Sequence, residues 1–257
     1  MARYYFVSAF CPPLVLGTKP ELSFKEFYDL LQVNLTSQDL KAFDHLLRPI
    51  DLYNIKALWS GLPLDERGMI QARELEEALL VRDTLPKYLV DFLLSYESLE
   101  ERLRYFSKLY VGMYEEEEKK KGFLGAYFRM EREIRLVLTA LRAKKYHLDL
   151  VKQFQFEDPE DPLVAEILAQ KDGAEVFPPL EYEALKTLFM ENGDDPKKLS
   201  FALLKFRLER IEEMGMGYHF SLDEVMAYGA RLLIVESWDH LDRERGNVAV
   251  EELSRYG

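Results

Sequence analysis

The chain has 257 residues, of which 48% are hydrophobic and 31% are charged, so its composition is that of an ordinary globular protein. Its formal net charge of -12 argues against general binding to nucleic acid, because a phosphate backbone would be repelled. A single cysteine, Cys11, excludes an internal disulfide, and no set of Cys and His residues has the spacing of a zinc site.

The first feature along the chain is an uncharged run from Tyr4 to Thr18. It is too short to span a membrane, and Pro12-Pro13 interrupts it. Its apolar part is also short and unusually aromatic for a secretion signal. We expect a short extended segment near Tyr4–Ala9 that lies buried close to the core.

The rest of the chain carries the signals of successive helices. Ser23, Ser98 and Ser221 are each followed three residues later by a glutamate, which is the pattern of a capping box. Asp161 and Asp195 each precede a proline, which is tolerated at the first helical position. Apolar residues recur between these signals at spacings of three and four, and alternating strand patterns are missing. The sequence therefore predicts an all-α protein.

Two of the predicted helices differ in the placement of their charged residues. The segment 225–235 contains one charged residue, and a helix that is apolar on nearly every side is expected to be enclosed by other helices. The segment 123–146 has one apolar stripe, while Arg132, Arg135 and Arg142 share a different face.

Charge is divided between two neighbouring segments. Residues 119–152 carry a formal net charge of +7, and residues 157–195 carry -10. Two explanations stay open at this stage. The two segments form solvated faces or neutralise each other within the chain, or one of them, through the acidic stretch or the arginine stripe, contributes to a partner interface.

Changes in composition predict three helical modules, residues 1–82, 83–156 and 157–257. Pro63–Gly68 has the composition of a turn, and Glu157–Pro162 is a charged linker interrupted by prolines.

The sequence contains no recognised arrangement of catalytic residues. The four histidines lie in separate segments without a metal-binding pair, and a nucleophile elbow and a phosphate-binding loop are both missing. We therefore expect a protein that is not an enzyme and that uses no cofactor or metal. A helical enzyme with an unrecognised carboxylate site stays open as an alternative.

The segment Ile50–Leu58 places Asp51, Asn54, Ile55 and Lys56 in the order D-x-x-N-[LI]-K. This order resembles a pattern in the C subunit of V/A-type rotary ATPases, called subunit d in the eukaryotic enzyme. Nearly the whole chain also resembles an uncharacterised bacterial family that is encoded in V-type ATPase gene clusters. The segments that carry this second resemblance are Tyr4–Ala9, Phe128–Arg142 and Phe220–Leu241.

The resemblance implies three helical modules around a pseudo-threefold axis, in the shape of a funnel. It also implies a non-enzymatic coupling subunit, a socket between the central rotor shaft and the membrane proteolipid ring, cytoplasmic and held at the inner membrane through the complex. A free-standing helical scaffold or assembly factor for the same complex is the alternative.

The candidate partner-binding residues combine the motif with the arginine stripe. For two members of the motif, a helix cap at Asp51 and a hydrogen bond from Asn54 to a neighbouring turn are the simpler explanation. The candidates are Asp51, Asn54, Lys56, Arg132, Arg135 and Arg142.

Overall fold

The computed structural model describes the backbone of residues 3–69, 72–81 and 85–256, and the side chains of these residues except 72–74 and 240–256. Over these ranges the regular structure is helical and contains no β-strand, which confirms the all-α prediction. Short 3₁₀ turns cover His45–Leu47 and Leu180–Tyr182. In chain order the α-helices are α1 (Tyr5–Phe10), α2 (Phe24–Asn34), α3 (Ser37–Asp44), α4 (Arg48–Ser60), α5 (Ala72–Val81), α6 (Lys87–Ser95), α7 (Leu99–Arg104), α8 (Ser107–Glu117), α9 (Gly122–Lys145), α10 (Leu150–Gln153), α11 (Pro162–Ala169), α12 (Glu183–Asn192), α13 (Pro196–Gly215) and α14 (Leu222–Tyr256).

The chain divides into two compact units. The first comprises Met1–Ala42 and Glu191–Gly257, and the second comprises Phe43–Met190. The predicted module boundary at residues 82 and 83 lies outside the described residues. The division into three modules stays a prediction.

Helix α14 supplies the core of the first unit. From Val225 to Val235, every residue except Arg231 is buried, which confirms the prediction that this segment is enclosed. Helices α13 and α2 pack against it, and the ring of Phe27 lies 5.0 Å from that of Tyr228. The nearly uninterrupted apolar surface of this segment explains why it is covered from more than one side.

Helix α2 begins with the predicted capping box. The Ser23 hydroxyl accepts a hydrogen bond from the Glu26 N–H at 3.3 Å, and the Glu26 carboxylate accepts one from the Ser23 N–H at 2.9 Å. Glu236, a buried residue of α14, accepts a further bond from the Phe24 N–H at 2.6 Å. The start of α2 is therefore tied both to itself and to α14.

The N-terminal segment differs from its prediction. Tyr5–Phe10 is helical rather than extended, and the rings of Phe6 and Phe10 are more than half exposed. The Ser8 N–H donates to the Tyr4 carbonyl at 3.0 Å, and the two phenylalanine rings, four residues apart, stack at 6.0 Å. Such a pair of large side chains on one helical face supports a short helix.

Helix α9 runs through the second unit. Fourteen of its 24 residues are buried, so it contacts neighbours on more than one side. Helices α10 and α11 pack against its second half. The core at this contact consists of Leu136, Ala140, Ala143, Leu150, Phe154, Val164, Ile167 and Val176.

Replacement of Leu232 by alanine tests the core of the first unit. The side chain is fully buried, so Leu232→Ala is expected to lower the free energy of unfolding by about 2–5 kcal/mol. Val33→Ala, on the 85% exposed Val33 of α2, is the control and should change it by about 0.5 kcal/mol or less. Urea denaturation measures both. If both substitutions changed the free energy of unfolding equally, Leu232 would not lie in a packed core.

Candidate functional site

The motif on helix α4 holds the turn that follows this helix. The side-chain amide of Asn54 donates to the Asp65 carbonyl at 2.9 Å, and its oxygen accepts from the Asp65 N–H at 2.8 Å. Asn54 is only 2% exposed, so these bonds satisfy a polar side chain that water cannot reach. The amide therefore serves as a structural link between α4 and the turn, as the sequence suggested.

The predicted helix cap at Asp51 is wrong, because α4 begins at Arg48 and Asp51 lies inside its first turn; Asp51 contacts the turn after α4 instead. Its Oδ1 accepts a hydrogen bond from the Met69 N–H at 2.8 Å. Gly68 lies between the two motif side chains, where an added Cβ would be 2.4 Å from the Asn54 Nδ2 and 3.2 Å from the Asp51 Oδ1. The turn can approach α4 this closely because residue 68 has no side chain.

Lys56, the third candidate of the motif, has a different environment. It is exposed, and its Nζ lies 5.7 Å from the centre of the Phe106 ring. The three side chains of the motif therefore have different environments. Asp51 and Asn54 contact the turn, whereas Lys56 is exposed to solvent.

Burial makes the Asp51 carboxyl a weaker acid than an exposed aspartate. Desolvation raises the pKa of its carboxyl to about 6, against the opposing effects of the Met69 N–H and the Arg48 charge. The charge of Asp44 acts in the same direction as burial.

Arg132 on helix α9 is paired within the chain. It is 7% exposed, and its Nη1 donates to the Asp161 Oδ2 at 2.9 Å. Burial alone would lower the pKa of Arg132, but the hydrogen bond and charge of Asp161, with Glu118 and Glu157 nearby, raise it. Asp161 also caps α11, because its Oδ1 accepts from the N–H groups of Leu163 and Val164 at 3.0 Å.

Arg135, one turn further along α9, is also paired. Its Nη2 donates to the Glu157 Oε1 at 2.7 Å, and its guanidinium lies 5.3 Å from the centre of the Tyr114 ring. The Glu157 side chain is 4% exposed, so it depends on arginine for charge compensation. Arg142, by contrast, is exposed. The stripe therefore separates into two internally paired arginines and one exposed arginine.

A charged cleft of about 470 Å³ lies beside the first half of α9. Arg129, Arg132 and Glu133 line it from one face of the helix, and Asp161 lines it from the start of α11. The connection between α8 and α9 completes the lining with Glu118, Lys119 and Lys120.

The pattern of charged residues in the sequence did not predict this cleft. The run of lysines between α8 and α9 looks like a solvated helix end, and Arg129 lies outside the arginine stripe. One local signal was present, the glycine at position 125. A Cβ at Gly125 would lie 1.9 Å from the Lys120 carbonyl oxygen, so the connection packs directly on the α9 backbone.

A second charged cluster lies between α4 and α8. The Nδ1 of His45 is 2.9 and 2.7 Å from the two carboxylate oxygens of the fully buried Glu117, and the Nε of Arg48 is 3.9 Å from one of them. Because a carboxylate accepts hydrogen bonds, the His45 Nδ1 carries the donated hydrogen. The pair links elements that are 72 residues apart in sequence, so spacing alone could not reveal it.

Grouped metal ligands and membrane-spanning helices are both missing from the described residues. Among the side chains that the structure describes, no three or more of His, Cys, Asp and Glu are grouped as a metal ion would require. No helix in these ranges has both the length and the apolarity needed to cross a bilayer.

Charge reversal on α9 distinguishes the paired arginines from the exposed one. Arg135→Glu places a carboxylate against Glu157, so the free energy of unfolding should fall by at least about 2 kcal/mol. Arg142→Glu, on the same helix, should change it by about 1 kcal/mol or less. Chemical denaturation monitored by circular dichroism provides the comparison. Equal losses would show that Glu157 does not depend on Arg135.

The variant Asp51→Asn tests the raised pKa of the Asp51 carboxyl. In the folded chain the pKa is about 6, above the value near 3.9 expected for the unfolded chain, so ionisation costs stability. The cost is absent below about pH 4, grows between about pH 4 and 6, and is complete above about pH 6. Asparagine cannot ionise, and its oxygen can still accept from the Met69 N–H.

The stability of Asp51→Asn relative to the original chain should therefore rise by about 1–3 kcal/mol between about pH 4 and pH 7. Urea denaturation at both pH values measures the difference. Glu66→Gln, at an exposed carboxylate of the same turn, is the charge-matched control. A stability difference that is the same at both pH values would refute the assignment.

Comparison with known proteins identifies relatives along the whole chain. A Chlamydia muridarum protein is 29% identical over 262 residues, covering 99% of this chain and 98% of the relative. A Chlamydia trachomatis protein is 29% identical over 234 residues, covering 88% of each, and a Chlamydia pneumoniae protein is 27% identical over 262 residues, covering 99% of this chain and 98% of the relative. These relatives are described as uncharacterised proteins, and no solved structure matches the chain significantly. The family described as "Protein of unknown function (DUF2764)" matches residues 1–255, and the chain belongs to this family.

Proposed function

We propose that the protein is a non-enzymatic coupling subunit of a V/A-type ATPase, a socket between the central rotor shaft and the membrane proteolipid ring. The observation that carries the proposal is the D-x-x-N-[LI]-K pattern on helix α4 and the use the fold makes of it. Asp51 and Asn54 fix the turn that follows α4, while Lys56 is left at the surface. A rigid element that displays a charged residue suits a protein that transmits force through contacts.

The helical fold supports the same proposal. A subunit that carries torque needs elements whose relative positions are fixed by buried contacts. In the second unit, the buried residues of α9 and the hydrogen bond between His45 and Glu117 provide such contacts. The proposal includes the finer arrangement implied by the resemblance, in which the modules 1–82, 83–156 and 157–257 surround a pseudo-threefold axis as a funnel.

The partners under this proposal are the shaft subunits and the proteolipid ring, with the protein at the cytoplasmic side of the inner membrane. Of the six candidate residues, only Lys56 and Arg142 are exposed. They are therefore the members of the set that a partner can reach without rearrangement of the fold.

Affinity isolation tests the proposal. A tagged chain, extracted from native membranes in mild detergent, should isolate shaft and proteolipid subunits together and should migrate with the assembled ATPase on a native gel. Lys56→Glu combined with Arg142→Glu should reduce this association, because both changes reverse a charge at an exposed candidate position. Lys152→Glu combined with Lys171→Glu, at exposed lysines outside the candidate set, is the matched control.

The outcome also separates the alternative. Isolation of incomplete ATPase assemblies, with none of the finished enzyme, would favour a free-standing scaffold or assembly factor. Isolation of no ATPase subunit would contradict both functions. An equal loss in the test and control variants would remove Lys56 and Arg142 from the interface while leaving the complex itself established.

A further inference from the structure

The charges at the floor of the cleft beside α9 are satisfied within the chain. Arg132 pairs with one oxygen of Asp161, and the other oxygen caps α11. The Glu133 carboxylate accepts a hydrogen bond from the buried Tyr182 hydroxyl at 2.5 Å. Burial raises the pKa of Glu133, and the Glu181 charge acts in the same direction. A ligand would therefore find few unsatisfied charges at the floor.

Three further cations line the cleft and form its rim, and they differ from the buried Arg132 in being exposed to solvent. Lys119, Lys120 and Arg129 are exposed, and among the described residues their side chains form no hydrogen bond or salt bridge, although the charge of Arg129 acts on the Glu133 carboxyl in the direction that lowers its pKa. The lysines are nevertheless held in place through their backbone. The Lys120 N–H donates to the Glu117 carbonyl at 3.0 Å, and the connection rests on the α9 backbone at Gly125.

We propose that this cleft binds an acidic peptide segment of a partner protein, with its carboxylates on Lys119, Lys120 and Arg129. The three cations stand on two different elements, the connection after α8 and helix α9, so a ligand with several separated negative charges can reach all of them. The lining is made of charged side chains, whereas sites for drug-sized organic molecules are mostly apolar.

A compact phosphate group fits the same cleft less well. A phosphate bound inside the cleft would lie near the carboxylates of Glu118 and Asp161, which line it together with the cations. Like charges brought close in a partly desolvated site repel one another. An extended acidic segment avoids this repulsion, because its carboxylates contact the rim while its backbone crosses the opening. The inference is independent of the rotary-ATPase proposal, since it rests only on the cleft.

Isothermal titration calorimetry of the full chain with a short glutamate-rich peptide tests the inference. Binding is expected at about 0.15 M salt, where the Debye length is about 8 Å and the repulsion from the net charge of -12 is screened beyond that distance. The variant Lys119→Gln/Lys120→Gln/Arg129→Gln should bind roughly tenfold more weakly, the combined effect of three exposed ion pairs. Thermal unfolding of this variant should match that of the original chain, because all three side chains are exposed.

The matched control is Lys87→Gln/Lys152→Gln/Lys171→Gln, which removes the same charge from exposed positions of the same unit outside the cleft. It should keep most of the affinity. Equal weakening in the two variants would show that the peptide responds only to net charge and would overturn the proposal. Failure of the peptide to bind at about 0.15 M salt would also overturn it, as would binding of pyrophosphate in place of the peptide.

Discussion

The buried length of helix α9 imposes the constraint on which much of the second unit depends. A charged residue on a buried helix must be paired within the chain or must reach water, because an isolated charge is too costly to desolvate. Arg132 and Arg135 meet this requirement through Asp161 and Glu157. These acids begin and end the linker 157–161, so the pairing fixes where the linker runs and where α11 begins. The pair of Arg132 and Asp161 also forms part of the lining of the charged cleft.

Buried polar groups near the turn after α4 are also paired within the chain, although here they are an amide and a carboxyl rather than two arginines. Asn54 is buried and uses both ends of its amide on Asp65, and Asp51 accepts from the Met69 N–H although its site disfavours the ionised form. Side chains that resemble a family motif can thus be explained locally by the turn they hold. Their presence does not require that they touch a partner, and Lys56 is the member for which that role is open.

Local signals in the sequence were sufficient for most of the helices, but not for α1, which was expected to be extended. The capping boxes at Ser23 and Ser98 form as expected, and the apolar segment 225–235 is buried. Ser221 forms only half of its expected box, because the Glu224 carboxylate accepts from the Phe220 N–H and the Ser8 hydroxyl instead. A distant residue competed for the capping group, and spacing along the chain carries no information about such a competitor.

Contacts between residues that are distant in sequence also decided the environment of the candidate site residues. The sequence placed three arginines on one face of a helix, but burial along that helix is decided by neighbours that are distant in sequence. Asp161 lies 29 residues from Arg132, and Glu157 lies 22 residues from Arg135. Arg132 and Arg135 are paired with the acidic segment within the chain, whereas the exposed Arg142 is not among these pairs.

Two groups among the exposed cations of this acidic protein have a proposed role. Lys56 and Arg142 come from the predicted set, and Lys119, Lys120 and Arg129 come from the cleft. In a chain with a net charge of -12, an acidic partner would be repelled at long range, so its binding requires these cations to act at short range. A partner of this kind would be selected by the geometry of the rim rather than by the overall field, which is why the position of each cation matters more than their number.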